Sequence, residues 1–396
     1  MKKALLIANA ASMIHLFNEE NVKLLVERGY EVHVACNFID GNTTSPEVVE
    51  ECKRRWTADG IICHQVSFMR TPFSLNQFKI YNQIRKLIKE NKFDIIHCHT
   101  PITSILTRIA AKKYRRQGTK VVYTAHGFHF YNGASLINWL FYFTSEWICS
   151  FFTDVLITIN GEDFNRAKKC LHAKKTEYIP GVGIDLYNIV ETNVDRNEKL
   201  KEFGITDETV LLSVGELNDN KNHETIIKAL SKIDKPYKYI ICGRGYKEQY
   251  LKDLAEKLGI KDKVIFAGFR KDVKELMPCV DIFCFPSYRE GLSLSLMEAM
   301  ASGLPIVASK IRGNVDLVDD NKGGFLYAPA DSEGFYKGIV RLMEIPDIMK
   351  GFGEYNLDKI QNFTKEIVAD KMSEYYFFDE KEYGFLYEKQ GTQFNA

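Results

Sequence analysis

The chain has 396 residues, about two domains' worth, and with 45% hydrophobic and 27% charged residues it can bury sizeable cores. Its formal net charge is +1, and we expect no nucleic-acid partner. Nine cysteines are scattered without a C-x-x-C pair, which excludes a short-range disulfide framework and favours a reducing, cytoplasmic compartment.

The charge is unevenly distributed along the chain. Basic residues outnumber acidic ones over residues 1–185, and acidic residues outnumber basic ones over the remainder. This uneven charge either belongs to an ordinary solvated surface or indicates that the first half binds an anionic partner, such as a membrane surface. We therefore leave open peripheral contact with the inner face of the plasma membrane.

The N-terminal segment MKKALLIANAASMIHLF resembles a charged region followed by an apolar one. The run ALLIAN is too short for a signal peptide, and the pattern continues into a helix and another strand, so it is interpreted as the first strand of a domain. No stretch reaches the apolar length of a transmembrane helix.

Short apolar strands alternate with amphipathic helices, a pattern typical of parallel sheets with crossover helices. In the first half the predicted strands are ALLIAN, EVHVAC, IICHQV, DIIHC, KVVYTA, DVLITI and EYIP. After the turn IPGVGID and a charged helical stretch from Glu191 to Phe203, they are TVLLSVGEL, YKYIICG, KVIFAG, DIFCFPS, LPIVAS and GGFLYAP.

The sequence thus predicts an α/β protein with two Rossmann-like, doubly wound domains facing a cleft. The predicted boundaries are 1–182 for the first domain and 183–363 for the second. Residues 364–396 are predicted as a helix that crosses back to the first domain, followed by a tail.

Ligands of such sheets bind beyond the carboxyl ends of the strands. The helix after DIFCFPSYREG would offer free N–H groups near Ser293 and Leu294, which suit a phosphate, and Lys221 adds a cation. Glu290 and Glu298 are carboxylates in settings that require a partner, and a vicinal diol can supply one. An anion site with two diol acceptors predicts a sugar-nucleotide site.

On these motifs the chain resembles the family 4 retaining glycosyltransferases, which have the GT-B fold, and the resemblance covers nearly the whole chain. It rests on the E-x7-E motif of Glu290 and Glu298 within PSYREGLSLSLMEAMASGLPIVAS. Supporting motifs are SVGEL with Lys221, CGRG, FAGFRKDV, IPGVGID, IIHCHTP and TAHG. In detail the chain looks most like bacterial enzymes that build capsular, exopolysaccharide or other surface glycans.

The resemblance implies that the first domain lies on the acceptor side and that the second binds the nucleotide sugar. It also implies a role for each motif residue. Glu298 would bind the ribose hydroxyls, Glu290 the transferred sugar and Lys221 the diphosphate, while His126 would face the sugar from the first domain. His126, Lys221 and Glu290 are thus the predicted catalytic residues. The other predicted nucleotide-site positions are Gly215, Gly243, Arg270, Gly291, Leu292, Ser293 and Leu294. The family implies no metal and no cofactor beyond the donor, and the chain has no D-x-D triplet.

Two departures from the family pattern stand out. Glu216 occupies a position where many members have an arginine on the diphosphate, so it should turn away or pair with Lys221. Arg244 and Arg270 are candidate substitutes for that arginine. The first-strand loop, NAASMIH, lacks the glycines frequent in relatives, which leaves its substrate contacts open.

Each assignment has a plainer alternative. Glu298 could pair with a surface lysine, Glu290 could be an exposed turn residue, and Lys221 could be solvated. His126 could equally be a core histidine. In HCH, residues 97–99, we expect alternate side chains on opposite faces of the strand, which argues against a shared metal.

The segment GFHFYNGASLINWLFYFTSEWICSFF, residues 127–152, has few polar positions in its second half. We favour a helix packed in the core. The alternative is an interfacial helix that meets a lipid-linked acceptor, helped by the basic run KKYRR at residues 112–116. The family's surface-glycan members commonly use polyprenyl-diphosphate-linked acceptors.

The sequence therefore predicts a retaining glycosyltransferase that moves a sugar from a nucleotide-sugar donor, expected to be UDP-linked, to a growing lipid-linked glycan. The mechanism implied by the family is front-face displacement, in which the leaving diphosphate helps to deprotonate the incoming hydroxyl. One alternative is a non-hydrolysing sugar-nucleotide epimerase of the same fold, and another is a non-catalytic sugar-nucleotide-binding regulator. A Rossmann dehydrogenase is disfavoured because no G-x-G-x-x-G follows either domain's first strand.

Overall fold

The carboxyl ends of two parallel sheets define where a ligand can bind in this protein. A computed structural model describes residues 1–69, 76–186 and 194–378. The strands of the first sheet are β1 (Lys3–Ala10), β2 (Glu31–Asn37), β3 (Ile62–Gln65), β4 (Ile95–His99), β5 (Lys120–Ala125), β6 (Val155–Thr158) and β7 (Lys175–Tyr178). Those of the second are β8 (Thr209–Val214), β9 (Tyr237–Cys242), β10 (Val264–Gly268), β11 (Ile282–Phe285), β12 (Ile306–Ser309) and β13 (Gly324–Tyr327).

The strand order is β3-β2-β1-β4-β5-β6-β7 in the first sheet and β10-β9-β8-β11-β12-β13 in the second. All of these neighbours pair in parallel. The order reverses between β1 and β4 and between β8 and β11, and these are the switch points where doubly wound sheets bind ligands. The prediction of two doubly wound α/β domains is confirmed.

Helices cover both faces of each sheet. In the first half they are α1 (Ala11–Phe17), α2 (Glu19–Glu27), α3 (Pro46–Ala58), α4 (Asn76–Asn91), α5 (Pro101–Arg115), α6 (Leu136–Asn138), a π-helical turn (Trp139–Phe143), α7 (Thr144–Ser150) and α8 (Gly161–Cys170). In the second half they are α9 (Arg196–Lys201), α10 (His223–Leu230), α11 (Glu248–Lys257), α12 (Val273–Leu276), α13 (Leu294–Ala301), α14 (Asn314–Leu317), α15 (Ser332–Glu344), α16 (Pro346–Ile360) and α17 (Lys365–Phe377). Short 3₁₀ turns cover Lys261–Lys263, Met277–Cys279 and Gln361–Phe363.

The central strands are apolar on both faces because each sheet lies between two helical layers, whereas the edge strands β3 and β7 of the first sheet are only partly buried. Along β1, Leu5 packs into one buried cluster and Leu6 into another on the opposite face. Successive side chains of a strand point to opposite faces, so a continuous apolar run supplies both layers at once. This is why the strands were predictable from short apolar runs.

The last described helix, α17, leaves the second domain and packs on the first. Val368, Met372 and Tyr376 join the same buried cluster as Leu6 of β1. A β-bridge between Ile184 and Thr364 marks where the chain passes from one domain to the other in both directions. The predicted tail from residue 379 onward, and residues 191–193 of the predicted charged helix, lie outside the described residues.

The prediction that residues 137–152 pack as a core helix is wrong for much of the segment. Leu136, Ile137 and Leu140 are 87%, 78% and 76% exposed, while Trp139 and Phe143 pack against the first-domain core. An apolar segment without a polar face gives no sequence signal for which side is buried, and only the packing decided it. None of the described helices has the length and hydropathy required to span a bilayer.

Candidate active site

The loops after β5 and β11 meet at the cleft between the two domains. A Cβ atom on Gly291 would lie 2.4 Å from the carbonyl oxygen of His126, so only glycine allows the two main chains to approach this closely. A cavity of about 260 Å³ opens here. It is lined by His126, Gly127, Phe128 and His129 from the first domain and by Asn220, Arg289, Glu290, Gly291 and Arg312 from the second.

Glu290 and Lys221 form an ion pair at this cavity. The Nζ atom of Lys221 donates to Oε1 of Glu290 at 2.8 Å, and the side chains are only 19% and 14% exposed. Nζ also lies 4.7 Å from the ring centre of Phe285 at the end of β11. Glu290 is therefore not an exposed turn residue, and Lys221 is not a freely solvated lysine.

Glu298 occupies the second turn of α13, away from the residues that line the cavity. Burial raises the pKa of Glu298, and the nearby Lys274 acts in the opposite direction. Lys274 is half-exposed and its Nζ is 3.9 Å from the carboxylate, which is at the limit of an ion pair. Within the described part of the chain the Glu298 carboxylate accepts no hydrogen bond, so both oxygens are available to a ligand.

The start of α13 offers backbone groups rather than side chains. Ser293 precedes the helix without capping it, and its Oγ lies 3.0 Å from Oγ of Ser295. Leu292 packs against the buried clusters of both domains, and Leu294 packs against the second. Their side chains are structural, and only their N–H groups can serve an anion, as the first turn of a helix leaves such groups without intrahelical partners.

The predicted glycines lie beside Lys221. A Cβ atom on Gly215 would lie 3.1 Å from the Lys221 side chain, and one on Gly243 would lie 1.8 Å from the carbonyl oxygen of Gly215. The ends of β8 and β9 thus leave no room for side chains, and the lysine stem runs over exposed backbone. This arrangement suits a flat or anionic group lying against the main chain.

Arg244 and Arg270, the candidate substitutes for the family's diphosphate-binding arginine, differ in whether they are already paired. Arg270 is held by Glu202 at 2.8 Å and by Asp272, so it is already neutralised within the second domain. Arg244 is exposed at the carboxyl end of β9. Glu216 does not pair with Lys221; it is exposed, and Asn218 donates to it at 2.9 Å.

Three histidines on β4 and directly after β5 form a row on the opposite side of the cleft, in which His97 and His99 are buried and His126 is partly exposed to the cavity. His99 Nδ1 lies 3.2 Å from His126 Nε2, and the rings of His97 and His99 have centres 4.0 Å apart. His97 continues the row to Thr124 at 2.8 Å and to the hydroxyl of Tyr376 on α17. The prediction for HCH needs correction, because His97 and His99 are two residues apart and share one face of β4.

Desolvation keeps these imidazoles uncharged. It lowers the pKa of His97 to about 3 and that of His126 to about 4, and it lowers the pKa of His99 well below its usual range. At neutral pH the first-domain side of the cleft therefore presents a neutral donor or acceptor, not a cation.

Sequence reasoning missed several residues at the cleft. Arg312 follows β12 and pairs with Asp163, which follows β6, with 2.9 Å between Nη1 and Oδ1. Asn220 donates to the backbone carbonyl of Arg289 at 3.0 Å. Ligands of parallel sheets bind beyond the carboxyl ends of the strands, so the loops after β6 and β12 were candidates for the site. Neither loop contains a recognisable sequence motif.

The first-strand loop is closed rather than open to a phosphate. Helix α1 begins at Ala11, directly after β1 ends. The amide of Ser12 donates to Asn42 Oδ1 at 2.9 Å, and its hydroxyl accepts from the amide of Thr43 at 3.1 Å. The segment after β2 therefore already occupies the polar groups that a glycine-rich loop would offer to a ligand.

Comparisons with known proteins agree over nearly the whole chain. Residues 195–359 match the family described as "Glycosyl transferases group 1", and residues 3–160 match "Glycosyl transferase 4-like". EpsD of Bacillus subtilis (strain 168), whose name assigns it provisionally to the glycosyltransferases, is 35% identical over 96% of this chain and 99% of its own length.

Two further relatives add a named activity and a fold. The Escherichia coli "UDP-Gal:alpha-D-GlcNAc-diphosphoundecaprenol alpha-1,3-galactosyltransferase" is 31% identical over 78% of this chain and 83% of its own length. Anabaena Alr3699/HepE in complex with UDP superposes with a TM-score of 0.76, at 21% identity, over 94% of this chain and 99% of that one. At that identity the likeness concerns the fold.

Proposed function

This chain belongs to the group 1 glycosyl transferases, and we propose that it is a retaining enzyme that moves a sugar from a UDP-linked donor onto a growing, lipid-linked glycan. Glycosyl transfer follows from the family; the donor, the acceptor and the stereochemistry are the proposal. The observation that carries it is the Lys221–Glu290 pair, which lies at a cleft opposite the neutral His126.

The second domain supplies the groups that a nucleoside diphosphate requires. The free carboxylate of Glu298 can accept two hydrogen bonds from a ribose diol. The N–H groups at the start of α13 and the ammonium of Lys221 can neutralise the diphosphate, on which negative charge grows as the glycosidic bond breaks. Glu290 would exchange part of its bond with Lys221 for hydroxyls of the transferred sugar.

The chemical step needs no protein nucleophile. The bond from the anomeric carbon to the diphosphate oxygen breaks, the acceptor oxygen bonds to the same face of that carbon, and the acceptor proton passes to the departing diphosphate. His126, neutral at pH 7, would hold a sugar hydroxyl without adding a competing positive charge. Support for a diphosphate-lipid acceptor comes from the Escherichia coli relative, whose name specifies one.

A test of donor and acceptor together separates this proposal from its alternatives. Purified protein is incubated with UDP-sugars, with and without a polyprenyl-diphosphate-linked sugar, and the released UDP is measured. We expect UDP release only when the acceptor is present. Conversion of the UDP-sugar into its epimer without acceptor and without net release of UDP would indicate a non-hydrolysing epimerase. Tight UDP-sugar binding without turnover across acceptors would indicate a regulator.

The exposed apolar residues around α6 form the surface proposed to meet the membrane. Leu136, Ile137 and Leu140 project into solvent. Helix α7, which follows this segment in the chain, packs against α5. Helices α4 and α5 carry a basic groove of about 470 Å³ lined by Arg85, Lys89, Lys112, Lys113 and Arg116, among others. Apolar side chains beside a cluster of cations match the chemistry of an anionic lipid surface.

This surface is continuous with the cleft. The ring of Tyr142, in the π-helical turn, lies 4.5 Å from that of His129, which lines the site cavity. A lipid-linked acceptor could therefore keep its lipid in the membrane while its sugar reaches Glu290. We expect the protein to pellet with anionic vesicles at low salt and to be released as ionic strength rises.

A triple variant, Leu136→Gln with Ile137→Gln and Leu140→Gln, should lose vesicle binding. The matched control is Ile39→Gln, since Ile39 is equally exposed on the same domain, at 75%, but lies after β2. Equal vesicle binding by the triple variant and the control would contradict the membrane contact and leave the transferase activity untouched.

A further inference from the structure

One buried ion pair joins the two domains across the cleft. Arg312 belongs to the second domain and Asp163 to the first, and Nη1 donates to Oδ1 at 2.9 Å. The side chains are 5% and 0% exposed. A buried pair of this kind overcomes its desolvation cost only when the remaining hydrogen-bonding positions are also satisfied, and loss of one partner leaves an uncompensated buried charge.

Both side chains of the pair make further hydrogen bonds, several of them to the main chain of the predicted site. Asp163 accepts from the amide of Phe128 at 2.9 Å, two residues beyond His126. It also accepts from the side chain of Asn160 at 2.8 Å. On the other side, Nε of Arg312 donates to the backbone carbonyl of Glu290 at 3.3 Å.

A second polar contact reinforces the first. Asp316 accepts from the amide of Gly161, in the first domain, at 3.1 Å and from the amide of Gly313, next to Arg312, at 3.3 Å. Both interdomain contacts therefore tie the loop after β12 to the loop after β6. Arg312 also lines the site cavity, and its Nη1 is engaged by Asp163.

We propose that Arg312 is a positioning residue for sugar transfer: with Asp163 it latches the domains so that the loop of Glu290 is held against the loop of His126. This proposal rests on the proposed function in taking those two residues as the groups on either side of the donor sugar. In the proposed function the nucleotide is held by the second domain alone, so the latch should matter for turnover and not for UDP affinity.

The decisive variants are Asp163→Asn, which keeps the size of the side chain and removes its charge, and Arg312→Gln, which replaces the charged side chain with a shorter, neutral polar one. We expect each to lower kcat at least tenfold while the Kd for UDP stays within twofold and the melting temperature shows a folded protein. Arg312→Lys should recover part of kcat, since it restores the charge without the fork of donors. The control is Arg196→Gln, which removes an arginine paired with Asp281 at 2.8 Å inside the second domain.

The double variant tests whether the two side chains act as one unit. If they do, Arg312→Gln combined with Asp163→Asn should be no slower than the slower single variant. Additive losses in kcat would show that the residues act separately and would overturn the latch, as would near wild-type kcat in a folded Arg312→Gln protein. A joint loss of UDP affinity and melting temperature would reduce the pair to a structural role and overturn it too.

Small-angle scattering tests the latch without any assay of activity. Arg312→Gln should show a larger radius of gyration than the wild type and the Arg196→Gln control, because the domains can separate. A scattering curve identical to that of the wild type would overturn the proposal. If the wild-type protein transferred no sugar to any acceptor, the proposed function would fail, while the scattering comparison would still decide the latch.

Discussion

The two sides of the cleft differ in whether their polar side chains are charged or neutral. On the second domain, Lys221 and Glu290 form an ion pair at 2.8 Å. On the first, His97, His99 and His126 lose their charge because burial lowers the pKa of each. The difference teaches that charge is kept on the side where a diphosphate would bind and removed on the side that would meet only hydroxyl groups.

This division has a physical reason. A cation on the first-domain side, opposite Lys221, would compete with Lys221 for the leaving diphosphate. It would also attract the negative charge of the diphosphate toward the sugar. A neutral imidazole can still donate or accept one hydrogen bond. The charged side should therefore dominate turnover, and the neutral side should appear mainly in the response of stability to pH.

The largest effect is expected for Lys221→Ala. Loss of one electrostatic stabiliser of a developing charge typically costs on the order of a hundredfold in rate, and we expect kcat to fall at least tenfold here. Steady-state kinetics with the melting temperature as a check of folding would measure it. Lys228→Ala is the control, because Lys228 pairs with Glu224 on the surface of α10. Near wild-type turnover in a folded variant would transfer the role to Arg244 or the start of α13.

Glu290→Gln should lower transfer roughly tenfold and leave UDP affinity unchanged. The amide accepts through one oxygen instead of two, so it cannot hold both Lys221 and a sugar hydroxyl. Calorimetry with UDP and kinetics with the UDP-sugar would be compared on the same preparation. A fall in UDP affinity would show that Glu290 acts on the nucleotide and not on the sugar.

Glu298→Gln should give the complementary result, with UDP affinity reduced several-fold. One lost hydrogen bond to a neutral diol is worth about 1 kcal/mol. Since burial already raises the pKa of Glu298, the amide should be tolerated in the fold. UDP affinity equal to that of the wild type would remove Glu298 from the ribose site.

The smallest effect concerns the neutral side. Histidine has a pKa near 6.5 in an unfolded chain, and burial lowers that of His126 to about 4, so below pH 6.5 the unfolded state binds the extra proton. Stability should therefore fall as the pH drops from 7 toward 4, by about 0.7 kcal/mol per buried histidine between pH 7 and 6. His126→Asn should remove the contribution of one histidine to this pH dependence of the free energy of unfolding. Denaturant unfolding at pH 7 and pH 6 would measure it. An unchanged pH dependence would mean that His126 is solvated and protonates normally.

The sequence was sufficient to predict the fold and to place the loop of Glu290 at the carboxyl end of β11. Thirteen predicted runs correspond to the thirteen strands of the described residues, since most of these strands are apolar segments buried on both faces, although the edge strands β3 and β7 are only partly buried. The loop of Glu290 was predictable because a carboxylate before a glycine, at the end of an apolar run, is costly unless it has a partner. Its position in the chain also matches a known motif.

What the tertiary structure alone decided are the pairings between distant residues. Packing decides which residue pairs with Glu290 and whether Glu216 pairs with Lys221. It also decides which face of the segment after Ser135 is exposed to solvent. The Arg312–Asp163 pair joins residues 149 positions apart in two domains. Local sequence determines strand, helix and the end of the sheet at which a side chain lies, because these follow from the chemistry of neighbouring residues. Contacts across the cleft follow from how two separately folded sheets meet, and no local pattern encodes that.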